Sequence, residues 1–136
     1  MGLAQKRIVQ EYQGSAFGEW KKKFDAVVGC DIPFEVRWDT MQNDDYKNRD
    51  DYFTWYEAVY FKPLMAVFED LCKDNMGKEA VKAGVTKIIV DGSEGSFPGA
   101  SKFTGGVFTL NHKFFTNVND IDARIKGWKK IIEDKL

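Results

Sequence analysis

The sequence predicts an α+β domain: a small, mainly antiparallel three-stranded sheet with helices packed mostly on one face. Two patterns carry this. Long stretches repeat apolar residues at helical spacing, while three short stretches alternate apolar and polar residues or form brief apolar runs, the signature of strands. Size is the third observation. A chain of 136 residues with 43% hydrophobic and 30% charged side chains has enough apolar surface for a core without a disulfide or metal staple. No linker, repeat or low-complexity tract divides it, so residues 1–136 are read as one domain.

Taken in order, Ile8, Val9 and Tyr12, then Phe17, Trp20, Phe24, Val27 and Val28, recur at helical intervals, with a break at Gly14-Ser15 and a stop at Gly29. Ile32-Pro33-Phe34-Glu35-Val36-Arg37-Trp38 alternates as a strand with one buried face, with Pro33 at its start or on an edge. Residues 39–51 form an acidic connector from which Asp50 or Asp51 caps a helix carrying Tyr52, Trp55, Tyr56, Val59 and Tyr60. Pro63 cannot donate to that helix, so it is expected to end it and open a second one carrying Leu64, Val67, Phe68, Leu71 and Cys72.

A short helix through Ala80 and Val81 ends at Gly84, and Val85 to Val90 reads as a buried strand. Asp91 to Thr104 is a loop rich in Gly and Ser, tucked onto the domain by Phe97 and Phe103. Gly106 to His112 is the third strand, pairing with the second as a hairpin, with Phe108, Leu110 and His112 on one face. The last helix starts near Asn119 or Asp120 and buries Ile121, Ile125, Trp128, Ile132 and Leu136.

Charge excludes several function classes. Twenty Lys and Arg stand against twenty-one Asp and Glu, and acidic neighbours at helical pair spacing flank the runs Lys21-Lys22-Lys23 and Lys126, Lys129, Lys130. These are solvated helix faces rather than a nucleic-acid patch. The N-terminal residues hold no apolar signal core, and no apolar run approaches the ~20 residues of a membrane helix, so cytoplasm is the expected location and no membrane partner is expected. Cys30 and Cys72 match neither a CxxC nor a zinc spacing and read as buried thiols in a reducing compartment, without redox function.

No catalytic, metal or cofactor motif emerges. The aspartates of residues 39–51 lack the glycine turn and terminal glutamate of an EF-hand, and the loop after Asp91 lacks the G-x-x-x-x-G-K-[ST] spacing of a phosphate loop. His112, the single histidine, falls on the apolar face of its strand, where a structural role is expected. Instead, the most informative feature is residues 46–68, where Tyr46, Tyr52, Phe53, Trp55, Tyr56, Tyr60, Phe61 and Phe68 place eight aromatics in twenty-three positions. Rings at such density occupy more than one helix face, so some serve the core and others a contact surface.

Met1-Gly2-Leu3-Ala4-Gln5-Lys6-Arg7, the strand Ile32 to Asp39, Tyr60-Phe61-Lys62-Pro63-Leu64 and Asp74 to Ala80 together resemble a group of small bacterial proteins of uncharacterised activity. The resemblance implies a bacterial, soluble, single-domain protein and carries no activity, cofactor or catalytic residue. Two functional expectations follow. The first is a non-enzymatic interaction domain, a homodimer or a partner-binding or inhibitor-like factor, that uses Tyr46, Tyr52, Trp55, Tyr56 and Tyr60 with Asp45 and Asp51. The second is a small-molecule binder or enzyme with a pocket under the 91–103 loop, lined by Asp91, Glu94 and His112.

Overall fold

The structure, a computed structural model, describes residues 1–95 and 98–136; Phe97, expected to anchor the long loop, lies outside them. The chain runs α1 (Leu3–Gly14), α2 (Ala16–Val28), β1 (Phe34–Val36), α3 (Arg49–Trp55), a π-helical segment (Tyr56–Phe61), α4 (Lys62–Leu71), α5 (Asn75–Gly84), β2 (Lys87–Asp91), β3 (Lys102–Thr104), β4 (Val107–Asn111) and α6 (Ile121–Glu133). The fold is α+β. Its helical starts and stops follow local chemistry. Gly29 takes φ +86 to close α2, and Asp74 accepts from the Gly77 N–H to open α5.

The sheet differs from the expected three antiparallel strands. It has four, in the order β1-β2-β4-β3, and is mixed: β1 and β2 pair in parallel, β2 and β4 pair in parallel, and only β3 runs antiparallel to β4. The hairpin joins β3 to β4 rather than β2 to β4. Gly105 and Gly106, at φ +59 and +82, make the two-residue turn that such a hairpin requires. Residues 92–106 are long enough to carry the chain back so that β4 starts beside the start of β2.

Strand periodicity divides the sheet into two faces. Ile88, Val90, Phe103, Phe108 and Leu110 are buried and join the helices' apolar stripes in one core. On the other face Glu35, Lys87, Ile89, Val107 and Thr109 are half-buried, and Lys102 and Thr104 are exposed. That face carries a chain of alternating charges in which Lys87 pairs with Glu35 (2.9 Å), Glu35 with Arg37 (2.8 Å) and Arg37 with Asp91 (2.8 Å).

Two further departures concern the central helix. Asn48, not Asp50 or Asp51, is its cap, accepting from the Asp51 N–H at 3.1 Å. Pro63 does not split it: Trp55, Tyr56, Phe61 and Lys62 all keep right-handed helical dihedrals. The π segment absorbs the proline by widening the helix, so that the Lys62 N–H reaches back five residues to Glu57 O. No helix among the described residues is long and apolar enough to cross a membrane.

Candidate functional site

The acidic connector and α3 position the aromatic segment, and the structure divides its rings between core and surface. Tyr52, Tyr56 and Tyr60 are fully buried. The Tyr52 hydroxyl donates to Asn43 O at 2.7 Å and accepts from the Asn43 N–H, stapling the connector to α3. The Tyr60 hydroxyl donates to His112 O at 2.7 Å, while that of Tyr56 is buried without a partner. Burial raises the phenol pKa of all three, so they remain neutral packing groups. They are therefore not available as the contact surface that sequence reading gave them, because the π-helical segment and its neighbours enclose every side of this stretch.

What remains at the surface is a smaller cluster. Tyr46, 43% exposed, meets Trp55 at a ring-centroid distance of 5.3 Å and Phe115 at 5.6 Å, and Trp55 meets Phe115 at 5.6 Å. Trp55 and Phe115 are half-buried, so the three rings form a continuous aromatic patch with one side toward solvent. Exposed aspartates 44, 45, 50 and 51 surround it in sequence, against Lys47 and Arg49. Arg49 is engaged by Glu11 and Asp50 and lies over the Phe53 ring, leaving Asp44, Asp45 and Asp51 without an ion pair among the described residues.

Phe115 was not legible as a site residue, and its geometry is the most unusual in the patch. It holds φ +56 and Asn117 holds φ +49, in the left-handed region that bulky side chains rarely adopt. Two anchors impose this. Buried Phe114 packs between Tyr52, Trp55 and Tyr56 at 5.0 to 5.4 Å. Buried Arg124 of α6 donates to the carbonyls of Asn117, Val118 and Ala58, binding the 113–120 loop to the π segment. Beside the patch lies a cleft of about 530 Å³ lined by Met1, Leu3, Gln5, Asp44 and Lys47; Gln5 Nε2 donates to Tyr46 O at 3.1 Å.

The alternative pocket residues do not converge. Asp91 lies on the open face of the sheet, where Arg37 Nη1 and the Ser93 N–H bind its two carboxylate oxygens. Burial opposes its ionisation, but these hydrogen bonds outweigh burial and hold its carboxyl below the usual range. His112 follows Phe108 and Leu110 on the core side; its N–H reaches Asp91 O at 3.1 Å, yet the alternation of strand side chains puts the imidazole and the carboxylate on opposite faces. Glu94 is exposed, and its backbone N–H donates to Asn111 Oδ1. Gly92 is closed in as well: a Cβ there would stand 2.5 Å from Thr40 O.

His112 is only 2% exposed. Its Nδ1 lies 2.9 Å from Lys113 O, which makes this nitrogen the donor and leaves Nε2 an acceptor; Nε2 is buried without a partner. Burial, reinforced by the nearby Arg124 guanidinium, lowers its pKa. Among the described residues, no group of three or more His, Cys, Asp and Glu side chains is arranged to hold a metal ion. No family model, curated protein or solved structure matches the chain.

Proposed function

We propose that this chain is a non-enzymatic protein-interaction domain whose contact surface is the Tyr46, Trp55 and Phe115 patch with its rim of Asp44, Asp45 and Asp51. The observation that carries the reading is the exposed three-ring cluster, one of whose members is held at a strained backbone angle by two buried anchors. Strain retained at a surface position points to a role beyond packing, and large rings with a polar handle are the usual anchors of interfaces.

The chemistry of the rim selects the partner: a protein surface that presents lysine or arginine around an apolar side chain able to enter the adjoining cleft. A second copy is less suited, because a twofold contact through this patch would set the same aspartates against one another. Acidic neighbours also disfavour nucleic acid, since they repel phosphates.

A photo-crosslinking side chain placed at Tyr46 in the full chain tests this in a lysate of the source cells. The expected result is a crosslink to a basic protein surface that weakens at high salt and disappears with Trp55→Ala. Crosslinks that persist in Trp55→Ala would overturn the assignment.

The ligand-site reading retains one specific support: Asp91 and His112 lie at the C-terminal ends of parallel strands, where ligands bind in many open sheets, and His112 Nε2 is unpartnered. Against it, the side chains of Asp91 and His112 face opposite ways, and neither cleft found among the described residues touches Asp91, Glu94 or His112.

A further inference from the structure

Helix α5 is wedged between the ends of two other helices. In its first turn, Gly77 lies so close to α4 that an added Cβ would stand 1.8 Å from Leu71 O. Further along the same helix, Lys78 and Lys82 lie over Gly29, where an added Cβ would be 2.8 and 3.1 Å from their Cε atoms. Cys72 follows Leu71 and Cys30 follows Gly29. One helix therefore touches the residue before each cysteine, and its two lysines serve both.

Both thiols are free and half-buried. Burial raises the Cys72 pKa, Lys78 and Lys82 pull it down, and Cys30 lies close enough for its charge to push it up again. Two thiols in one another's field, beside two ammonium groups, differ from the inert buried thiols expected from their separation in sequence.

We propose that Cys30 and Cys72 are a reversible thiol–disulfide pair, closed by a hydroperoxide, that ties the end of α2 to the end of α4. The thiolate of one cysteine attacks the peroxide, the O–O bond breaks, and a sulfenic acid and one water result. The second sulfur then attacks the sulfenyl sulfur, the S–S bond forms, the S–O bond breaks, and a second water leaves. The two sulfurs together lose the two electrons that reduce the peroxide, and the thiol protons end in water. The Lys78 and Lys82 ammonium groups favour the attacking thiolate.

The test exposes the native full chain to hydrogen peroxide, alkylates without reductant, and maps the peptides by mass. The expected product has lost two hydrogens, takes up no alkylating agent and yields one peptide pair joined through Cys30 and Cys72. Its Tm rises by roughly 5–10 °C, and dithiothreitol reverses both changes. Cys30→Ser and Cys72→Ser show neither. Two alkylatable thiols after treatment, sulfinic acid without the linked pair, or links only between separate chains would each overturn the proposal. The wild-type chain alone supplies these readouts, so they do not depend on how the serine variants fold.

Discussion

Arg124 donates from Nη2 to the carbonyl of Ala58 at 2.9 Å, the carbonyl whose π-helical donor would be the N–H of residue 63, a proline. The π segment and the proline thus leave one buried acceptor open, and a side chain from the last helix fills it. The same guanidinium holds Asn117 and Val118, so the position of the Phe115 loop is coupled to the register of the central helix.

Replacing Arg124 should therefore be costly in a specific way. Arg124→Met strands three carbonyls while relieving a buried cation whose Nε is unpartnered, for a net loss of roughly 2–4 kcal/mol in urea unfolding. Pro63→Ala restores an N–H at the position Ala58 needs. In a double-mutant cycle the alanine should recover roughly 1 kcal/mol in the Arg124→Met background beyond its effect alone. Strict additivity would mean that the two residues do not share that carbonyl.

The buried tyrosines give a paired comparison. Tyr60→Phe leaves His112 O without its donor and should cost roughly 1–2 kcal/mol. Tyr56→Phe removes a hydroxyl that is buried without a partner, so stability should stay level or rise by up to about 1 kcal/mol. Chemical denaturation of the two variants side by side measures the difference.

His112 sets a pH dependence of definite sign. Its folded pKa lies below the ordinary imidazole value of 6.5, first through burial and then through Arg124, against the opposing pull of the Lys113 carbonyl and Asp120. Its contribution is therefore complete above pH 6.5 and is lost as pH falls from there through the folded value. This window precedes the further acid loss expected from Glu35, Asp70 and Asp91, whose lowered pKa values place their protonation below 4.5. Unfolding free energy measured from pH 8 to 5 should fall in wild type and stay flatter in His112→Gln.

Local signals in the sequence marked α1, α2, α5, β2 and β4, because amphipathic spacing and stops such as Gly29 and Gly84 act within a few residues. Pairing was not legible. A strand of three residues, Lys102–Thr104, carries too little periodicity to stand out in a glycine- and serine-rich loop, and missing it turned a parallel β2–β4 pair into a supposed hairpin. Pro63 misled for a similar reason, since the π segment that accommodates it is completed by Arg124, sixty-one positions away.

On the last helix, Arg124, Trp128 and Ile132 are the buried residues, while Ile121 and Ile125 are half-buried and Leu136 is exposed. An arginine does not announce burial when its acceptors are distant carbonyls. Of the aromatic segment, density was visible but facing was not. Tyr46 and Trp55 reached the surface with Asp45 and Asp51, Tyr52, Tyr56 and Tyr60 went to the core, and Phe115 joined the patch through a backbone angle that no spacing encodes.

Phe115→Gly separates binding from folding. Glycine takes φ +56 without strain, which offsets the lost contacts of a half-buried ring, so stability should change by less than about 1 kcal/mol while the patch loses a member. The most direct measurement is molar mass by light scattering on a size-exclusion column, for the chain alone at several concentrations and for complexes recovered from a lysate of the source cells. The account predicts a monomer alone, and a salt-sensitive complex with a basic protein that wild type forms and folded Phe115→Gly does not. A complex that Phe115→Gly forms as well as wild type, or a concentration-dependent dimer of the chain itself through this patch, would contradict it.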